Sequence, residues 1–130
     1  LSAWNAMLIG LPENNISLLK KIQKKYDQIF LLSNINAIHL SKIKELVGSK
    51  KYINFEKLFK KVYYSHKIGY RKPDKKAFEI ILSENNLNKN EVLFVDDSIQ
   101  HIKSAKEMGI NTYHLLKYEK ISSEFAELIL

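Results

Sequence analysis

The chain has 130 residues and a mass of 15.2 kDa, which is the size of one domain, and its 45% hydrophobic residues suffice for a packed core. The absence of cysteine excludes a disulfide scaffold, a thiolate zinc site and a cysteine nucleophile. The net charge of +7 comes from 21 basic residues spread along the chain, of which only Arg71 is an arginine.

Apolar runs rich in β-branched and aromatic residues alternate along the chain with segments of helical period. We predict four strands, over Ile29–Leu32, Val62–Tyr64, Val92–Val95 and Thr112–Leu115. Before the second strand we predict a short helix over residues 1–9 that stops at Gly10-Leu11-Pro12, a helix over about 13–25, a helix over 38–47 that ends at Gly48, and a turn or two of helix over 55–59. After the second strand we predict a helix that starts at Pro73-Asp74, a helix that starts at Ser98 and stops at Gly109, and a helix over 121–130.

Strands that alternate with helices at this spacing predict an α/β fold, a Rossmann-like, doubly wound parallel sheet with helices on both faces. Ligands of such sheets bind at the carboxyl ends of the strands. Ser33-Asn34 follows the first of the four predicted strands, Asp96-Asp97 follows the third, and Lys72 lies in the loop beyond the second. We therefore expect a hydroxyl, an amide, an amine and two carboxylates at one edge of the sheet.

These groups suit phosphoryl transfer. Adjacent carboxylates repel each other unless a cation or proton compensates them, and Mg²⁺ prefers carboxylates together with phosphate oxygens. Ser33 and nearby backbone N–H groups could bind phosphoryl oxygens, while Lys72 supplies a positive charge. Each signal alone has a simpler explanation: Ser33-Asn34 as a turn, Pro73-Asp74 as a helix start and Asp96-Asp97 as a helix cap.

The order of the three segments resembles a known family. Leu31-Leu32-Ser33-Asn34, Ile68 to Asp74 and Leu93 to Ser98 are similar to the second, third and fourth motifs of the haloacid dehalogenase-like hydrolases. The similarity covers about residues 11–115. The nearest branch is that of phosphatases with a small helical cap, including α-glucose-1-phosphate phosphatase-like members.

The resemblance implies a role for each site residue. Ser33, with help from Asn34, would bind the transferring phosphoryl group as substrate, and Lys72 would stabilise that group and the nucleophile. Asp97 would bind Mg²⁺ directly, with Asp96 as a second metal or water contact. Many relatives have an acidic or amide residue where this chain has His101, which either donates a hydrogen bond to the metal site or lies on the helix surface.

The family's first motif is absent from the chain. That motif is an Asp-x-Asp pair after the central strand of the sheet, and its first aspartate is the nucleophile; none of the aspartates in this sequence belongs to such a pair. We therefore expect residues 1–10 to be the remnant of a helical cap and 11–130 to be a partial core domain without its central nucleophile strand. The chain would be an inactive fragment that needs the missing N-terminal segment as a partner, unless another segment fills the gap.

Several functions remain open at this point. The first is a Mg²⁺-dependent phosphatase that forms an aspartyl-phosphate on a small phosphate monoester, and the alternative is a non-catalytic interaction or regulatory module on a degenerate fold. Dehalogenation is less favoured, because the aspartate pair suits a bound metal ion and the haloacid branch of the family needs no metal.

We expect no nucleic-acid partner, because lysines spread along the chain are typical of solvated helix faces. The apolar runs are far shorter than the roughly 18–20 residues that cross a bilayer, so we expect a cytoplasmic protein with no membrane partner.

Overall fold

The structure is a computed structural model, and it describes residues 6–10, 16–26 and 28–115. The strands are β1 (Ala6–Ile9), β2 (Gln28–Ser33), β3 (Lys61–Tyr64), β4 (Val92–Asp96) and β5 (Asn111–His114). The helices are α1 (Ile16–Lys25), α2 (Ala37–Val47), α3 (Ser49–Glu56), α4 (Ser65–Ile68), α5 (Lys75–Glu84) and α6 (Ile99–Glu107), with a 3₁₀ turn over Lys89–Glu91. The helix predicted over residues 121–130 lies outside the described residues.

The five strands form one parallel sheet in the order β3-β2-β1-β4-β5. Alternate residues of the inner strands pack on opposite faces. One face is covered by α5 and α6, whose Phe78, Ile81 and Ile102 join the same core cluster as Leu8, and the other by α1. Because both faces are buried, the strands are continuous apolar runs. The predicted doubly wound α/β fold is confirmed.

The centre of the sheet differs from the prediction. Ala6–Ile9 forms a strand there, paired with β2 on one side and β4 on the other. The helix predicted over residues 1–9 is therefore wrong for Ala6–Ile9. The prediction that the centre of the sheet is empty is also wrong. The alternative prediction, that another segment fills this position, is confirmed. A run of four apolar residues is too short to show a hydrophobic periodicity, so the sequence alone cannot distinguish a buried strand from a helix there. The assignment of residues 1–10 to a cap in a longer protein stays a prediction.

The ends of the helices follow the expected local chemistry, with exceptions. Asp74 caps α5 by accepting a hydrogen bond from the Lys76 N–H at 3.0 Å. Ser98 stands at the cap of α6, but its side chain makes no capping bond. The turn or two of helix predicted over residues 55–59 is wrong in its bounds, because α3 begins at Ser49 and ends at Glu56.

No helix among the described residues combines the length and the apolar character needed to cross a membrane.

Candidate active site

The candidate site lies where β1, β2 and β4 end, at the edge of the sheet predicted to bind ligands. Ser33 is the last residue of β2 and is buried, and Asp96 is the last residue of β4. The loop between α4 and α5 brings Lys72 to the same edge. The topology thus joins three segments that are far apart in the sequence.

Lys72 and Asp96 form the centre of the site. The Lys72 Nζ donates to Asp96 Oδ2 at 2.9 Å, and the two side chains are 2% and 1% exposed. Burial lowers the pKa of the Lys72 amine, although the negative charge of Asp96 opposes this shift. Burial also raises the pKa of the Asp96 carboxyl, but the charge and hydrogen bond of Lys72, with hydrogen bonds from Ser98 and His101, together hold it below its ordinary value. The pair is therefore an ion pair of a buried ammonium and a buried carboxylate.

Asp96 accepts hydrogen bonds from three residues. Its Oδ1 accepts from the Ser98 N–H at 2.9 Å, and its Oδ2 lies 3.0 Å from the His101 Nδ1 in addition to Lys72. A carboxylate only accepts, so the His101 Nδ1 donates its proton to Asp96. Of the two possibilities that the sequence left open for His101, this contact supports the hydrogen-bonding one.

Asn34 contacts Lys72 rather than pointing into open space. The Asn34 side-chain Nδ2 donates to the Lys72 backbone carbonyl at 2.8 Å, and the Lys72 backbone N–H donates to the Asn34 Oδ1 at 2.9 Å. These two bonds join the end of β2 to the Lys72 loop. The side chain predicted to help bind a phosphoryl group thus holds the backbone of Lys72 in place, a contact that residue spacing does not reveal.

Gly10, which directly follows the central strand, was not predicted as a site residue. Its N–H donates to the Val95 carbonyl at 2.8 Å, and its own carbonyl accepts from the Lys72 Nζ at 2.8 Å. A Cβ added at Gly10 would stand 2.0 Å from Asp96 Oδ2 and 2.7 Å from Lys72 Nζ. The close approach of strand and ion pair therefore requires a residue without a side chain. The only signal for this in the sequence is a glycine directly after an apolar run.

Asp97 differs from its neighbour in exposure. It lies outside the buried ion pair, in contact with solvent. Burial, followed by the hydrogen bond and negative charge of Asp96, raises the pKa of the Asp97 carboxyl. Opposite shifts within one pair of carboxyls are common where a cation binds, although structural pairs show them as well.

The donor set fits Mg²⁺ only with additional ligands. No group of three or more acidic or histidine side chains is assembled as a metal site in the part of the chain that the structure describes. Asp97 offers an exposed carboxyl that contacts Asp96, and the Asp96 Oδ1, which accepts from the Ser98 N–H, is a second oxygen at the site. Because Mg²⁺ is commonly held by one or two carboxylates, waters and substrate phosphates, these residues suffice when a phosphate oxygen joins them.

Comparison with known proteins finds two phosphatases among the curated relatives. The chain is 26% identical over 111 residues to a D-ribitol-5-phosphate phosphatase from Bacteroides thetaiotaomicron, a match that covers 85% of this chain and 53% of that protein. It is 25% identical over 114 residues to a sesquiterpene phosphatase from Aspergillus oryzae, covering 87% and 55%. The chain thus spans about half the length of the curated relatives that it matches.

Solved structures share the fold. A haloacid dehalogenase family enzyme from Bacteroides thetaiotaomicron, crystallised as its magnesium complex, superposes with a TM-score of 0.76 at 31% identity and covers 89% of this chain and 58% of that one. A haloacid dehalogenase-like hydrolase from Porphyromonas gingivalis gives a TM-score of 0.74 at 26% identity, with 91% and 58% covered.

The sequence model of the family matches residues 13–115, a span that includes Ser33, Lys72 and Asp96-Asp97 but not β1. The three segments that converge on one edge of a parallel sheet are therefore those that the family model covers, and the chain belongs to the haloacid dehalogenase-like hydrolases.

Proposed function

We propose that this chain is the phosphoryl- and magnesium-binding part of a phosphatase that hydrolyses a small phosphate monoester in the cytoplasm. The observation that carries the proposal is the buried contact between Lys72 and Asp96 beside the ends of β2 and β4. A buried ammonium next to Ser33 and Asp97 suits a doubly charged phosphoryl group and its cation. The similarity to two curated phosphatases supports the same reaction class.

Each residue has a proposed role. The Ser33 hydroxyl donates to a phosphoryl oxygen, and Lys72 neutralises the charge of the phosphoryl group. Asp97 binds Mg²⁺ directly, and Asp96 orients Lys72 and contacts a metal-bound water through Oδ1. Mg²⁺ would withdraw electron density from the phosphoryl oxygens and reduce their repulsion of an attacking carboxylate. The small-cap branch and its α-glucose-1-phosphate phosphatase-like members remain the proposed subgroup.

The nucleophile must come from outside this chain. The reaction requires a carboxylate that attacks phosphorus, forms an aspartyl-phosphate and releases the alcohol, after which water hydrolyses the acyl phosphate. Gly10 directly follows the central strand and offers no carboxylate. We therefore propose that residues 1–130 alone are inactive and that a segment with an Asp-x-Asp pair supplies the nucleophile.

The proposed reaction can be tested on the protein as the cell makes it. We expect Mg²⁺-dependent release of phosphate from at least one member of a panel of phosphomonoesters, and none from residues 1–130. The Asp97→Ala variant should lose this activity, whereas Glu79→Gln, which removes an exposed negative charge on α5, should retain it. Turnover by residues 1–130 alone, or an active Asp97→Ala enzyme, would contradict the proposal.

A second candidate function rests on Gly10. The Gly10 carbonyl and the ion pair leave no space for a side chain at the end of the central strand, and this favours a non-catalytic interaction or regulatory module. This candidate predicts that the protein made in the cell contains no Asp-x-Asp pair after an apolar strand. The reading frame upstream of Leu1 distinguishes the two functions.

A further inference from the structure

The two residues proposed to bind the phosphoryl group are closed off from solvent. Ser33 is 3% exposed and Lys72 is 2% exposed, whereas Asp97 at the same edge of the sheet is exposed. A phosphoryl oxygen cannot contact the buried hydroxyl or the buried ammonium in this arrangement. Some part of the protein that covers them therefore has to move before an anion binds.

The contacts of the Lys72 ammonium identify the groups that cover it. Within the described residues, Nζ donates to Asp96 Oδ2 at 2.9 Å and to the Gly10 carbonyl at 2.8 Å, and it lies 5.9 Å from the centroid of the Phe94 ring. Hydrogen bonds of an ammonium to a charged oxygen are stronger than those to a neutral one. The Gly10 carbonyl is therefore the weaker partner, and it is the one that a charged phosphoryl oxygen can replace.

The other elements around the ammonium are held firmly. Moving Asp96 away would leave the ammonium buried without its charged partner. The backbone of Lys72 is fixed by two hydrogen bonds with Asn34, and the Ser104 hydroxyl donates to the Pro73 carbonyl in the same loop. Neither β4 nor this loop can move without breaking such contacts.

Gly10 is held at this edge of the sheet by its backbone alone. Its N–H donates to the Val95 carbonyl at 2.8 Å, and its carbonyl accepts from Lys72. Because glycine has no side chain, its withdrawal exposes no apolar side-chain surface. Local opening costs least at the ends of short elements with few buried contacts, and Gly10 directly follows a strand of four residues. The end of β1 is therefore the part that can move.

From these contacts we infer that Ile9-Gly10, which we call the β1 plug, is an autoinhibitory element of the site. In the closed form the Gly10 carbonyl occupies the position on Lys72 that a phosphoryl oxygen takes. An anion binds only after the plug withdraws, so anion binding shifts the population towards the open form. The inference rests on the proposed function for the role of Lys72, whereas the local opening at Gly10 does not depend on it.

Hydrogen exchange of the Gly10 N–H in residues 1–130 tests the opening. We expect this amide to exchange through a local opening, at a rate that low urea concentrations do not change. Inorganic phosphate with Mg²⁺, at ten times its apparent dissociation constant, should accelerate the exchange at least about tenfold. The control is the Lys60 N–H, which donates to the Ile29 carbonyl at 2.7 Å and should not be accelerated. Exchange of Gly10 only through global unfolding would overturn the inference.

A reversible crosslink tests whether the plug controls anion binding. Ile9 and Val95 are register partners in neighbouring strands, as are Leu31 and Val62, and such strands lie about 4.8 Å apart, a distance that a disulfide spans. The sequence contains no other cysteine. Oxidised Ile9→Cys/Val95→Cys should bind inorganic phosphate at least about tenfold more weakly than its own reduced form. Leu31→Cys/Val62→Cys, the matched control, should bind it equally in both forms.

Binding is measured from the NMR shifts of the Ser33 and Lys72 amides, and each variant is compared with its own reduced form, so a cost of the substitutions to folding does not enter. Equal affinities of oxidised and reduced Ile9→Cys/Val95→Cys would overturn the inference, because the anion would then reach Lys72 past a closed plug. If Gly10 opens locally but phosphate shifts neither amide in the wild type, the opening stands and the phosphoryl role proposed for Ser33 and Lys72 is wrong.

Discussion

The Lys72 ammonium and the Asp96 carboxylate meet at 2.9 Å in the interior, where neither side chain is more than 2% exposed. Removing one partner leaves the other as an uncompensated buried charge, which costs about 3–5 kcal/mol. We expect Lys72→Met to cost about 3 kcal/mol, the lower end, because Ser98 and His101 still contact Asp96. Urea unfolding measures this loss.

The double variant Lys72→Met/Asp96→Leu tests the cause. It removes both charges, so we expect it to be less destabilised than the sum of the single variants. Lys75→Met is the control, because Lys75 pairs with Glu107 at 3.4 Å on the surface and should unfold close to wild type. Additive costs in the double variant would show that the two charges do not stabilise each other.

Gly10→Ala tests the packing at the end of the central strand. The added Cβ overlaps Asp96 Oδ2, so either the strand or the ion pair must move, and we expect a loss of about 3 kcal/mol or more. Gly48→Ala is the control, because a Cβ added at Gly48 would meet no atom within 4 Å. The only cost there is the backbone strain of an alanine at φ +89°, which should lower the unfolding free energy by about 1–2 kcal/mol. Equal unfolding free energies for the two variants would contradict the close approach at Gly10.

Gly10→Asp should not create a phosphatase. Its carboxylate would need the space that Asp96 and Lys72 already fill, so we expect a destabilised chain with no release of phosphate from phosphomonoesters in the presence of Mg²⁺. Measurable turnover by this variant would mean that the site rearranges to accept a nucleophile.

Asn34→Ala should act through the Lys72 loop. It removes two hydrogen bonds to the Lys72 backbone, which we expect to cost about 1–3 kcal/mol and to move the Lys72 amide signal. Asn54→Ala, an exposed change on α3, should leave both the stability and that signal unchanged. An unaltered Lys72 signal in Asn34→Ala would return Asn34 to the phosphoryl-binding role predicted from the sequence.

The Asp96 carboxyl should make the unfolding free energy depend on pH in the acid range. The pKa of its carboxyl is lower in the folded chain than in the unfolded chain, where it is about 3.9. Its stabilising contribution is therefore complete above that value and is lost as the pH falls through the folded-state pKa. The side chains of Lys72, His101 and Asp97 face the same carboxyl.

The measurement is the unfolding free energy from urea titrations between about pH 5 and pH 2, with Asp96→Asn as the reference. Wild type should lose stability more steeply than Asp96→Asn as the pH falls, because only wild type has to protonate this carboxylate. Parallel slopes would contradict the assigned direction of the Asp96 pKa shift.

The sequence predicted the four strands other than β1 well, and most clearly β2 and β4, which are apolar runs bounded by polar residues. The predicted Ile29–Leu32 and Val92–Val95 lie within β2 and β4, and Thr112–Leu115 overlaps β5 with a shift of one residue. It missed β1, where four apolar residues give too short a pattern, and most of α3, whose first turn is polar.

At the candidate site, the sequence predicted which segments meet but not how they bond. Ser33 and Asp96 stand at the ends of β2 and β4, as the alternation of strands and helices indicates, and Lys72 reaches the same edge from the loop between α4 and α5. The two bonds from Asn34 to the Lys72 backbone depend on the exact path of a loop, which no spacing rule gives.

The pairing of β1 with β4 has a consequence for biosynthesis. Residue 6 pairs with residue 92, so the backbone N–H and C=O groups on the edge of β1 that faces β4 have no partner until most of these residues have left the ribosome. Contacts of such long sequence separation form slowly, and an apolar strand edge that waits for them invites association with other chains.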